Sequence, residues 1–103
     1  MNAVQLKLNE TNRGYFYIQD GEETLAKMVI SIKGTHLTVH HTEVSPKAEG
    51  RGLAGELLKT MVAYVRDHGL NVVPLCPYVH AQFQRHPNLY EDVWVKQPTD
   101  VNQ

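Results

Sequence analysis

The only cysteine of the chain, Cys76, sits in Leu75-Cys76-Pro77-Tyr78. A thiolate is a strong nucleophile and can carry an acyl group. A free cysteine is also a common small hydrophobe of protein cores, so from the residue alone both roles stand. His41 is the second candidate, because an imidazole exchanges protons near neutral pH. Its alternative is a half-exposed strand histidine. Glu43 reads more simply as a solvated carboxylate at a strand end. The third feature is the run Glu49-Gly50-Arg51-Gly52-Leu53-Ala54-Gly55, which leads straight into a helical pattern. The first N–H groups of a helix lack internal partners and carry partial positive charge. Glycines without Cβ atoms let an anion such as a phosphate approach them. The same glycines also suit a loop needing positive φ, or close packing of helix on sheet. Neither the P-loop nor the dinucleotide spacing is present.

These residues need elements to hold them. Val4 to Leu8 alternates apolar and polar, Gly14 to Ile18 is aromatic and β-prone, and Gln19-Asp20-Gly21-Glu22 is a turn with a hairpin signal. Leu25 to Ile32 and His36 to Thr42 complete four successive strands around Lys33-Gly34-Thr35. The period then changes. Leu53, Leu57, Leu58, Met61, Val62 and Val65 form one helical stripe, closed by Gly69. Leu70 to Cys76 reads as a short strand, with Pro74 leaving part of its donor edge unpaired. Tyr78 to His86 reads as a second helix stopped by Pro87, and the polar tail from Lys96 is expected to fray. The order is ββββαβα, an α+β chain with a mixed, mostly antiparallel sheet. Residues 1–103 read as one small domain, with no repeat or linker.

Composition narrows the class. A formal net charge of -1 gives no basic field for nucleic acid or anionic membrane. No apolar run approaches the ~20 residues of a membrane span, and Met1 to Glu10 lacks a signal-peptide core. One cysteine precludes an internal disulfide. These features lead us to expect a cytoplasmic protein. The six histidines share no ligand spacing, so no metal is expected. His40 and His41 would face opposite ways on a regular strand.

Four segments together resemble a known family: His41-Thr42-Glu43-Val44, Glu49-Gly50-Arg51-Gly52-Leu53-Ala54, Leu75-Cys76-Pro77-Tyr78-Val79 and Arg85-His86-Pro87. The chain resembles the minimal, single-domain branch of the GNAT acetyltransferases (YjdJ-like) over nearly its whole length. The resemblance implies a GNAT-like fold with splayed fourth and fifth strands, and binding of acetyl-CoA or coenzyme A. It puts the pyrophosphate on the turn from Gly50 and Arg51 through Gly52, Leu53 and Ala54 to Gly55, and the pantetheine arm beside Thr42 and Val44. Cys76 would face the thioester, with His41 as base or as partner of the thiol. Tyr78, Phe83 and Tyr90 are second-tier candidates for the cofactor channel, since aromatics at such spacing more often fill core, and Arg85 is a candidate for the adenosine phosphates or, equally, an exposed salt-bridge partner. The family's first motif position is usually Arg or Gln, and here it is Glu49.

The implied activity is N-acetyl transfer from acetyl-CoA to a small or peptidyl amine. The alternative is a CoA-binding regulatory or interaction protein with little turnover. Larger relatives insert a helical segment between the first two strands. Here only Asn9 to Asn12 join them, so an open acceptor site is expected. A monomer or a weak homodimer formed through a sheet edge is the expected assembly.

Overall fold

The computed structural model describes residues 3–95. Strands β1 (Val4–Leu8), β2 (Arg13–Asp20), β3 (Glu23–Lys33) and β4 (His36–Val44) pair in sequence as an antiparallel meander. A 3-10 turn over Pro46–Ala48 leads to helix α1 (Leu53–His68). Strand β5 (Asn71–Pro74) then joins the sheet parallel to β4. Parallel neighbours require a crossover, which α1 supplies. Helix α2 (Pro77–Arg85) follows. A short helix α3 (Pro87–Tyr90) was not foreseen, because Pro87 reads as a stop but serves as the first residue of a new turn. The sheet order β1-β2-β3-β4-β5 gives the expected α+β architecture.

One face of the sheet carries the core. Phe16, Ile18, Met28, Ile30, Leu37 and Val39 point into it, and α1 lays Leu57, Leu58, Met61, Val62 and Val65 over them. Each such burial is worth roughly 1.5–3 kcal/mol, so this seam is the main hold on the sheet. Beyond β5 the chain returns: the Val72 N–H donates to the Val93 carbonyl at 2.7 Å, and the Val95 N–H to the Val72 carbonyl at 2.9 Å. That return covers an edge the sequence reading left open. Residues from Lys96 onward, where fraying was expected, lie outside the described residues. Among the described residues no helix is long and apolar enough to cross a membrane.

Among the described residues the opposite face has no helix packed on it. It presents Tyr15 and Tyr17 edge to face at 5.3 Å, with the Lys27 ammonium 4.9 Å from the Tyr15 ring centre. The linker Asn9 to Asn12 is held by its own chemistry. The Asn9 side-chain oxygen accepts from the Thr11 N–H, the Thr11 hydroxyl and the Arg13 N–H at 2.8–3.0 Å.

Strand β4 departs from regular alternation. Ile30 pairs with Val39, but Val29 pairs with His41, so His40 is an extra, bulged residue. Beyond the bulge the sides exchange. Thr42 pairs with buried Met28 and Val44 with buried Ala26, on the helix-covered side. His41 pairs with Val29 and shares the open face.

Candidate active site

β4 and β5 part company at the pair Val39–Pro74. Pro74 has no N–H to continue the ladder. The next bond is made by Cys76, whose N–H donates to the Val39 carbonyl at 2.9 Å. From there Cys76 caps the start of α2, its carbonyl accepting from the His80 N–H at 2.9 Å, while β4 runs on alone to Val44. The result is a V-shaped opening bounded by Thr42 and Val44 on one arm and Cys76 on the other. The thiol is 2% exposed and lies 3.4 Å from the Thr42 hydroxyl.

His41 does not meet the thiol. The bulge at His40 sends both histidines to the open face, and the partner of Cys76 is Thr42. This corrects the expectation that His41 and His40 face opposite ways, and of the readings given for His41 it leaves the strand histidine rather than the partner of the thiol. A bulge is fixed by the register with β3, which β4's own alternation does not record.

The glycine turn lies one element away. Gly50 has φ 85° and Gly52 φ 75°, so both occupy the left-handed region that only glycine enters freely. Ala48, fully buried, pins the turn against the core. The first helical bond of α1 runs from the Glu56 N–H to the Gly52 carbonyl at 3.2 Å, and no side chain caps the helix. The N–H groups of Leu53, Ala54 and Gly55 are thus the unpartnered donors of a helix start. Gly55 needs neither positive φ nor close packing. A Cβ there would meet only the Tyr78 hydroxyl, at 4.0 Å. Its lack of a side chain leaves room between the start of α1 and the first turn of α2. The two glycine explanations therefore divide: strain relief accounts for Gly50 and Gly52, and open space accounts for Gly55.

Tyr78 faces this space. Burial, then the neighbouring Tyr90 and Cys76, push its hydroxyl above the usual phenol range, so it holds its proton at physiological pH. From Gly55 a groove of about 830 Å³ continues between α1 and the segment 88–92. Leu58, Lys59 and Val62 line one side and Asn88 and Tyr90 the other, with Arg66 and Asp92 at the end. Phe83 is corrected: it is fully buried, stacked on Tyr90 at 4.6 Å and against Trp94 at 5.7 Å, so it offers a cofactor no surface. Arg85 is exposed at the far end of α2 and does not line the groove. The structure thus brings Thr42 to Cys76 and Gly55 to Tyr78, two residues beyond Cys76, and leaves Arg85 outside the groove.

A model of the GCN5-related N-acetyl-transferase family matches residues 14–93. The chain belongs to this family. A GCN5-like protein of Staphylococcus aureus, solved by NMR, superposes with a TM-score of 0.68 at 25% identity, over 94% of this chain and 93% of that one. The crystal structure of the ribosomal-protein-S18-alanine N-acetyltransferase from Escherichia coli superposes with a TM-score of 0.58. At 15% identity, over 64% of this chain and 43% of that one, it shares the fold alone. No curated protein matches the chain.

Proposed function

We propose that the chain transfers the acetyl group of acetyl-CoA to an amine. One observation carries this reading. The start of α1, with the unpartnered amides of Leu53 to Gly55, meets the chain just beyond Cys76, where the Tyr78 hydroxyl lies 4.0 Å from the place of a Gly55 Cβ. Free amides at a helix start suit a diphosphate, and the opening suits a slender thioester arm. Acetyl-CoA supplies the activated acyl carbon. The backbone of Thr42 and Val44, unpaired on the β5 side, offers the hydrogen bonds that orient the arm, and the Val44 N–H is a donor for the carbonyl oxygen as negative charge develops. The amine nitrogen forms its bond to the carbonyl carbon while the C–S bond breaks. The amine gives up a proton to water or base, and the sulfur takes one. Tyr78 is the group that retains a proton to give.

Cys76 lines this site. Its burial and its contact with Thr42 favour a positioning role over covalent transfer. The alternative, a CoA-binding regulator, draws on the missing acceptor wall between β1 and β2. Incubation with acetyl-CoA and a panel of amines, followed by mass spectrometry of the amines, separates the two. Acetylated amine is the expected result. Tight binding with no acetylated product across the panel would overturn the enzymatic reading, and an acetyl adduct on Cys76 during turnover would overturn direct transfer.

A further inference from the structure

The open face holds a cavity that the acetyl-transfer reading does not use. It has a volume of about 450 Å³, with Tyr15 and Val29 as its floor and Lys7, Arg13 and His40 around it. No carboxylate is among its lining residues. Several features fix its shape. The β4 bulge turns His40 toward this face, where its ring nitrogen lies 2.8 Å from the Ser31 hydroxyl. The Asn9 side chain holds the Arg13 backbone. A row of paired positions, Lys7–Tyr15–Val29–His41, crosses four strands from β1 to β4. His41 then adjoins Thr42, the residue that touches the Cys76 thiol.

We infer that this groove holds an acidic peptide acceptor, with a carboxylate of the peptide on Lys7 and Arg13 while its amine enters at the β4 edge. The inference rests on the acetyltransferase reading above. Charge selects the occupant: the lining cations have no carboxylate among them, whereas on the same face nearer the other end Lys27 is already paired with Glu43 at 3.8 Å. Length selects a peptide over a small amino acid. Three strand spacings of about 4.8 Å separate Lys7 from His41, about 14 Å in all. An extended chain spans about 3.3–3.6 Å per residue, so the carboxylate belongs about four residues from the reacting amine. The short link between β1 and β2 leaves this path uncovered.

The test compares three synthetic peptides that differ only at the fourth residue from the amine: glutamate, glutamine or lysine. The glutamate peptide should show a kcat/KM about fivefold above the glutamine peptide, the scale of one exposed charge pair. The gain should appear in KM, with the lysine peptide poorest. Arg13→Gln should erase the preference and Arg13→Glu should invert it, with acetyl-CoA affinity unchanged by calorimetry. Equal kcat/KM for all three peptides, or a glutamate preference that survives Arg13→Glu, would overturn the inference. If no peptide is acetylated, amide chemical shifts during titration with the glutamate peptide decide separately. Movement of Tyr15 and Val29 would uphold the groove while the enzymatic reading fails. Still amides at millimolar peptide would overturn the groove as well.

Discussion

The chemistry rests on a few residues whose surroundings differ. Gly52 stands at φ 75° as the residue before α1. Gly52→Ala forces a Cβ into the left-handed region at a cost of roughly 1–2 kcal/mol, and the added methyl faces open space where a diphosphate would approach. Urea unfolding should show that loss, and calorimetry should show acetyl-CoA binding weakened tenfold or more. Unchanged affinity in a folded variant would detach the turn from the cofactor. Glu49 is exposed beside the same amides. Glu49→Arg should tighten binding, since a repelling carboxylate is exchanged for a cation, and equal or weaker affinity by calorimetry would count against that placement of the diphosphate. Tyr78 keeps its proton because burial disfavours the phenolate. Tyr78→Phe should therefore lower kcat by about 100-fold, the lower end for a lost general acid, with little change in KM for acetyl-CoA. The rate should show no alkaline fall from this group until pH exceeds the ordinary phenol value of about 10.

Among the elements, β4 and the α1–α3 contact show where sequence was informative. The strand periods, the α1 stripe and the Gly69 stop all reappear, because each is written in local alternation or in one backbone demand. Cys76, expected to end β5, stands two residues beyond it at the start of α2, because Pro74 ends the ladder. The bulge at His40 was invisible, since a register slip belongs to two strands at once and the β4 residues alternate acceptably either way. It puts His41 on the open face and Thr42 beside the Cys76 thiol. For Phe83 the core alternative holds, and sequence left it open because an aromatic on a short helix looks alike whether it faces a ligand or Tyr90 and Trp94. Helix α3 is held to α1 by Arg66, which bonds Asp92 at 2.9 and 3.0 Å and the Leu89 carbonyl at 2.6 Å. The side-chain bond from Arg66 holds the Asp92 carboxyl below its usual range. A depressed carboxylate stabilises above the unfolded value of about 3.9 and loses that contribution as pH falls through the lower, folded one. Both side chains are about half exposed, so the pair is worth only ~0.2–1 kcal/mol. Asp92→Asn should lower stability by that amount at pH 7 and flatten the acid limb of the stability curve. An unchanged limb, followed by thermal unfolding between pH 2 and 7, would show that the pair contributes nothing.

At the scale of the molecule, the helices among the described residues lie on one face of a five-stranded sheet, and the other face carries none of them. That asymmetry divides the labour. The covered side supplies the core, the free amides of α1 and the parted strands. The open side leaves a path to the same β4 edge for an acceptor. Ligand that binds only the folded chain must also stabilise it: at a concentration 100 times Kd the gain is about 2.7 kcal/mol. The most direct test of the whole account is an amide-resolved NMR titration with acetyl-CoA. The account predicts that the amides of Arg51 to Gly55 move together and saturate, with Thr42, Val44 and Cys76 moving at the parted strands. Amides from Arg51 to Gly55 that stay in place at millimolar acetyl-CoA would contradict it.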